Sequence, residues 1–488
     1  MRSKKTLLKL FLFLILLAGF GIKPIKIFGQ NQMTALAKEF TDSLNFNGNI
    51  LVQKFDNNLF DYSSGYADYQ HNVRIDNETK FRIASVSKAF VAYVAYILVD
   101  EGRMGFDDRI FTYIPELNSK FTLITIDDLI THQSGLIRDV KVISNKSSLD
   151  YVSEDELLDL INKTDLQFEP GSEYSYSNTG FTLLSIIISR VLGEELNEAM
   201  SSTLFYRLGM NNTGHEVFHD VIQDLASGYY KLNKVTLNAQ YEDKSWVYGA
   251  GSFYSTSGDL LKFANEVIKG SLLSPELHER FLKDNGSFKT GGGGTTWPYK
   301  AQISGAPNNG QVVYYGGSSP GFRSALIMFL EHETVVIALS NQTPIEMGQI
   351  YNKMGNLALG LGKEKVFEPH MNKILYKILE AEHSEAVEIY ENEKNRNPDN
   401  PELRATDINS LGYTYLQLYQ MDNAIQLFTF GTLLFPDNAN LYDSLGEAHF
   451  KNDEYHKSKS SYLNSLEINP DNEGARLMLR RINKILSK

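Results

Sequence analysis

The chain has 488 residues, 42% of them hydrophobic, a formal net charge of −12 and no cysteine. This length exceeds one ordinary domain, and the apolar fraction suffices for a substantial core. The acidic balance without a long basic cluster argues against nucleic acid as a main partner, and the lack of cysteine excludes disulfides, thiol chemistry and lipid attachment through an N-terminal cysteine.

Arg2, Lys4, Lys5 and Lys9 precede an apolar run from Leu10 to Ile22. The run is short for a membrane span and fits the apolar centre of a signal peptide, so residues 1–29 read as a leader with a weakly marked end near Gly29 or Gln30. The expectation is an exported, periplasmic or otherwise extracytoplasmic protein, with the membrane as a partner only if that segment stays uncleaved as an anchor. Asn49 to Phe55 then reads as an early strand.

Ser85-Val86-Ser87-Lys88 leads into the apolar stretch Val91 to Val99, which reads as a buried helix. Positions i and i+3 share a helix face, so Ser85 and Lys88 can touch. A serine hydroxyl is a poor nucleophile at neutral pH until a neighbour takes its proton. Lys88 can do so if burial and a helix N-terminus favour its neutral form. The pattern S-x-x-K is common by chance, and alone it reads more readily as an ordinary helix start with a solvated lysine.

Between Gly102 and Met210 the texture is mainly helical. Within it, Tyr176-Ser177-Asn178 falls on a loop between Pro170-Gly171 and the apolar run Leu183 to Leu192. A phenol beside Ser85 and Lys88 can relay a proton to a leaving group, and the Asn178 amide can fix a substrate carbonyl together with the lysine. Glu173 reads as a solvated carboxylate.

S-x-x-K followed by Y-x-N resembles the serine β-lactamase and penicillin-binding-protein superfamily, in its class C-like branch of β-lactamases, D-alanyl-D-alanine carboxypeptidases, D-amino-acid peptidases and esterases. The resemblance runs through Thr131-His132-Gln133-Ser134-Gly135, Leu208-Gly209-Met210, Gly249-Ala250-Gly251-Ser252, Pro320-Gly321-Phe322 and Leu339-Ser340-Asn341, covering about residues 35 to 360. It implies an α/β domain over 33–362: an antiparallel sheet with flanking helices plus a helical lobe, and a site in the cleft between them. It also implies acyl transfer through Ser85, with Lys88 and Tyr176 carrying the proton and no cofactor or metal. Whether Lys88 or a Tyr176 phenolate is the base stays open. The implied oxyanion donors are the backbone N–H groups of Ser85 and Ser318, and His132 is implied to be scaffold.

The family's third motif is Lys-Thr-Gly or His-x-Gly on a strand. A literal Lys289-Thr290-Gly291 opens the glycine run to Gly294, which fits a regular strand poorly. Tyr315-Gly316-Gly317 aligns better, since Ser318-Ser319-Pro320-Gly321-Phe322 and the strand-like Ala325 to Leu330 follow. Tyr315 then stands where the family has Lys or His, and cationic help for a substrate carboxylate falls to Arg323. Expected substrate-binding residues are Asn178, Tyr315, Gly317, Ser318 and Arg323, and the expected substrate is a small peptide, ester or amide of the D-amino-acid class.

His215-Glu216-Val217-Phe218-His219 is a literal H-E-x-x-H, which on a helix would bind zinc, with Glu242 as a conceivable further ligand. Asn211-Asn212-Thr213-Gly214 delivers the first histidine from a turn, so a surface loop is the expectation. Tyr229, Tyr230, Tyr241, Trp246 and Tyr248 either line the cleft or simply pack. Thr334 to Leu339 reads as a late strand.

Strand texture ends at Leu361-Gly362-Lys363-Glu364-Lys365, and continuous helical texture follows. Gly412 and Gly446, Phe428 and Tyr462, and Pro436 and Pro470 are each 34 residues apart, with Ala424 and Ser458 at the small position. This resembles tetratricopeptide repeats, an all-α solenoid over 372–488 with a degenerate first unit at Ala386 and Tyr390. The solenoid offers a groove for a protein or peptide partner, or else packs as an appendage. The alternative to an enzyme is therefore a catalytically weak penicillin-binding-like body that serves the repeats as scaffold.

Overall fold

A computed structural model describes residues 30–232, 235–282, 299–300, 312–366, 370–381, 385–396 and 403–487. The leader expected at 1–29 and Lys289-Thr290-Gly291 lie outside the described residues.

Six strands form one antiparallel sheet in the order Tyr299–Lys300, Val312–Ser319, Phe322–Phe329, Thr334–Ser340, Gly48–Lys54, Asn57–Ser64. Gly48 faces Ser340, so the early and late strands expected from the sequence meet at the centre of the sheet. Side chains alternate across it with the strand period of two. Ile50, Val52, Ala325 and Ile327 enter one core, and Leu51, Leu326 and Met328 the other. The first core is closed by a helix over 30–44, through Met33, Leu36 and Phe40, and by Met347–Ala358, through Ile350 and Met354.

The second core holds the helix Ser87–Asp100, buried from Ser87 to Leu98 on every side, as expected of a helix apolar all round. Against it packs the helical lobe with Asn178–Leu192, whose first turn is capped by Ser177 accepting a bond from the Gly180 N–H. The α/β class with an antiparallel sheet and a helical lobe is thus the observed one. Among the described residues no helix is long and apolar enough to cross a membrane.

From His370 onward the chain is helical: His370–Glu380, Ala386–Arg396, Ala405–Gln417, Met421–Leu434, Ala439–Lys451, Tyr455–Ile468 and Glu473–Leu486. The arrangement fits a tetratricopeptide-like solenoid. A Cβ on Gly412 would meet the Phe428 ring at 2.3 Å, and one on Gly446 the Tyr462 ring at 3.0 Å, so the glycines let an aromatic of the paired helix press onto the backbone. Ala386 and Tyr390 are buried in the same way as their counterparts further on.

The solenoid docks on the α/β body through the hairpin Tyr229–Leu232 and Val235–Asn238. Tyr230 and Leu232 join the apolar cluster of Leu416 and Leu427, and Tyr230 donates its hydroxyl hydrogen bond to the Gln417 side-chain carbonyl. Burying a side chain of this size stabilises by roughly 1.5–3 kcal/mol, so the two parts are held by more than a tether.

Candidate active site

Ser85 lies on the 3-10 turn Ala84–Val86, immediately before the helix Ser87–Asp100 begins. Ala84 has a φ of +48°. That backbone costs an L-residue on the order of 1–2 kcal/mol, and the surroundings enforce it. The Ile83 N–H donates to the Phe253 carbonyl at 3.1 Å, and the Ser324 hydroxyl donates to the Ile83 carbonyl at 2.7 Å. The turn carrying Ser85 is thereby clamped between the central sheet and the strand Phe253–Ser255.

Lys88 is fully buried, its Nζ 3.3 Å from Ser85 Oγ and 2.5 Å from the Ala250 carbonyl oxygen. Burial pushes its pKa down to about 7; Asp139 opposes this and Arg138 adds to it. The Tyr176 hydroxyl donates to Ser85 Oγ at 2.9 Å, and the Lys88 amine lies 4.9 Å from the centre of the Tyr176 ring. Burial raises the Tyr176 pKa to about 12 against the lowering bond to Ser85. Burial thus favours a neutral amine at Lys88 and a protonated phenol at Tyr176.

His132 accepts a hydrogen bond from the Ser177 N–H at Nδ1, 3.1 Å away, and its ring packs 4.6 Å from that of Tyr176. Burial holds it well below the ordinary histidine pKa, so it is neutral support for the tyrosine loop. Glu173 is exposed.

Asn178 opens the helix Asn178–Leu192, and its amide donates to the Asp139 carboxylate at 2.6 Å. The amide expected from the sequence to face Lys88 and a substrate is thus held by Asp139, which no sequence motif marks. Arg138 and Asp139 directly follow the Thr131–Ile137 stretch, whose position beside the site was the one available signal. Tyr315 and Gly317 share one face of the strand Val312–Ser319. Strand alternation turns both to the core face, where Tyr315 is fully buried near Tyr96 and a Cβ on Gly317 would stand 2.1 Å from the Ile83 carbonyl. Ser318 and Arg323, which face each other across the hairpin, line the cleft instead. The Arg323 guanidinium donates through Nη1 to the Phe322 carbonyl at 3.0 Å and the Ser319 carbonyl at 3.4 Å.

The cleft above Ser85 has a volume of about 1230 Å³, and its far wall comes from the solenoid, including Tyr413, Asp443 and Met478. Of the aromatic residues at 229–248, Trp246 lines it, while Tyr230 serves the solenoid contact. His215 ends the two-residue strand Gly214–His215, Glu216 is bound by Arg82 at 2.7 and 2.8 Å, and His219 is exposed. The H-E-x-x-H pattern therefore has no helix to align it. Among the described residues no cluster of three metal-ligating side chains occurs.

Residues 40–358 match the family described as Beta-lactamase. The chain is 26% identical over 332 residues to penicillin-binding protein 4* of Bacillus subtilis, covering 64% of this chain and 72% of that protein. It is 28% identical over 275 residues to the human mitochondrial serine beta-lactamase-like protein LACTB, over 42% of this chain and 50% of that one. The fold is shared with D-amino acid amidase from Ochrobactrum anthropi SV3, with a TM-score of 0.58 and 22% identity over 68% of this chain and 97% of that one. It is likewise shared with a penicillin-binding protein from Bacillus halodurans, with a TM-score of 0.57 and 22% identity over 67% of this chain and 98% of that one.

Proposed function

Because the chain belongs to the beta-lactamase family of serine hydrolases, we propose that it cleaves an amide or ester of the D-amino-acid class through an acyl-enzyme on Ser85. The observation that carries this reading is a buried amine with a pKa of about 7, placed 3.3 Å from a serine oxygen that also accepts the Tyr176 hydroxyl hydrogen.

Neutral Lys88 takes the Ser85 proton as Oγ attacks the carbonyl carbon. The backbone N–H groups of Ser85 and Ser318 hold the oxyanion. Tyr176 bridges the proton from Lys88 to the leaving nitrogen or oxygen, which departs as the carbonyl re-forms. Water then enters, loses its proton through the same pair and releases the acid, restoring Ser85. Asp139 keeps Asn178 oriented at the rim and tunes Lys88 by its charge. Placement of the solenoid over the same cleft as Ser85 supports a repeat domain that serves the reaction, in preference to a scaffold with an idle body. Export by the N-terminal segment belongs to the same reading.

Turnover of a p-nitrophenyl ester and of a D-amino-acid amide by the full chain, beside Ser85→Ala, tests it. Hydrolysis that Ser85→Ala abolishes is the expected result. Equal rates in both proteins, or none, would leave the scaffold reading.

A further inference from the structure

The far wall of the cleft above Ser85 is one face of the solenoid, repeated. Asn409, Asp443 and Leu477 stand 34 residues apart, as do Tyr413, Glu447 and Arg481, and all of them line the cleft. Equivalent positions of successive repeats therefore turn to the same side, the side that carries Ser85. The chemistry at those positions changes from repeat to repeat. Both are acidic only in the middle unit, at Asp443 and Glu447, which lie one turn apart on the helix Ala439–Lys451 and share a face.

Glu447 is satisfied within the wall. Tyr413 donates its hydroxyl hydrogen to Oε2 at 2.9 Å, and Lys451 Nζ lies 2.8 Å from Oε1. Asp443 is not satisfied. Its Oδ1 accepts from the Asn472 amide at 2.9 Å, while Oδ2 accepts from no described residue and no described cation pairs with either oxygen. Arg481, also on this wall, lies over the Phe450 ring, 5.0 Å from its centre. Tyr462, on the helix Tyr455–Ile468, is 2% exposed yet lines the same cleft, and its hydroxyl forms no hydrogen bond with any described residue. The charges of Asp443 and Glu447 both act on that phenol, so the three groups are neighbours.

A carboxylate withdrawn from water without a cation is costly. Burial, opposed by the Asn472 bond and aided by Glu447, raises the Asp443 pKa to about 6, and a docked cation would oppose that shift. An alkylammonium group brings three donors, enough for Asp443 Oδ2 and the Tyr462 oxygen together. Phenol rings in the same wall suit a cation further.

We propose that Asp443 and Tyr462 form a subsite on the solenoid for an ammonium group of the substrate, remote from the bond that Ser85 attacks. The occupant is the substrate because this wall and Ser85 bound one continuous cleft. The solenoid thereby sets specificity without touching the reacting atoms, and binding energy gained there holds the substrate for the reaction. This deepens the acyl-transfer reading and rests on it.

The test uses the full chain carrying Ser85→Ala and N-acetylated glycine peptides that end in D-alanine amide. One lysine, or norleucine in its stead, is placed at a series of spacings from that end, and binding is measured by calorimetry. At a preferred spacing the lysine peptide is expected to bind about tenfold more tightly than its norleucine counterpart. Adding Asp443→Asn abolishes that preference, and adding Tyr462→Phe weakens it. Tyr462→Phe keeps the buried ring and removes only the unbonded hydroxyl, which separates loss of the subsite from loss of the fold. A preference absent at every spacing, or one that survives both substitutions, would overturn the subsite. A preference equal at all spacings and kept without the terminal D-alanine would mark a separate ligand, and overturn the assignment to the substrate. Fluorophosphonate labelling of Ser85 in the native chain is read independently. Labelling without any lysine preference removes the subsite alone, whereas a preference that needs Asp443 in a chain whose Ser85 never labels leaves the ammonium site and removes the acyl-transfer reading.

Discussion

Gly317 and the Ile83 carbonyl approach so closely that a Cβ at position 317 would stand 2.1 Å from the oxygen. The strand carrying Ser318 is thus laid directly on the turn carrying Ser85, which sets the gap between nucleophile and cleft wall. Gly317→Ala must push the two apart. It is expected to destabilise the chain by about 1–3 kcal/mol, and to slow acylation of Ser85 by about 100-fold through misplacement. Thermal unfolding and the rate of fluorophosphonate labelling read the two effects, and native behaviour in both would refute the clamp.

Acylation should rise with pH and level off above about 7, because the buried Lys88 must be neutral to accept the serine proton. Asp139 favours the charged lysine and Arg138 disfavours it. Asp139→Asn therefore moves the midpoint to lower pH, and Arg138→Gln moves it higher. The lowered pKa also makes Lys88 a stability cost that grows as pH falls from the ordinary lysine value towards 7. Lys88→Met is accordingly inactive, more stable than the native chain at pH 7, and progressively less so as pH rises. A flat rate profile between pH 5 and 9 would count against Lys88 as base.

Tyr176→Phe removes the hydroxyl on Ser85 Oγ and leaves the ring on His132. The expected loss is about 100-fold or more in turnover, with little change in substrate binding. Since burial holds Tyr176 at about 12, its ionisation adds no second inflection to the native pH profile below pH 10. Steady-state kinetics of the variant decide this, and a native kcat would remove Tyr176 from the proton path.

Gly412→Ala places a methyl group 2.3 Å from the Phe428 ring. Overpacking there should cost about 1–3 kcal/mol and loosen the solenoid. Intrinsic labelling of Ser85 by a small fluorophosphonate should persist, because the acylating groups all lie in the other body. Hydrogen exchange resolves the two regions. Loss of protection around Ser87–Asp100 as well would show a single cooperative unit.

The meeting of Ser85, Lys88 and Tyr176 was legible because two short motifs carry them and one helical turn connects the first pair. Gly412 and Gly446 were legible because a repeat is a periodic object. The hold of Asp139 on Asn178 was not, since it joins residues 39 apart through the fold. The inward aim of Tyr315 follows from the parity it shares with Gly317, but that parity has meaning only once Gly317 is seen against Ile83. Docking of the solenoid over the cleft rests on Tyr230 meeting Gln417, a pairing of two bodies that leaves no pattern in either segment.

The most direct test of the account is the intact mass of the full chain after exposure to a fluorophosphonate and, separately, to a penicillin, beside Ser85→Ala. The account predicts one fluorophosphonate adduct that is absent from Ser85→Ala, and a penicillin adduct at the same residue if the substrate is a D-amino-acid peptide. A folded protein that takes neither reagent, or that takes them equally with Ser85 replaced, would contradict an activated Ser85.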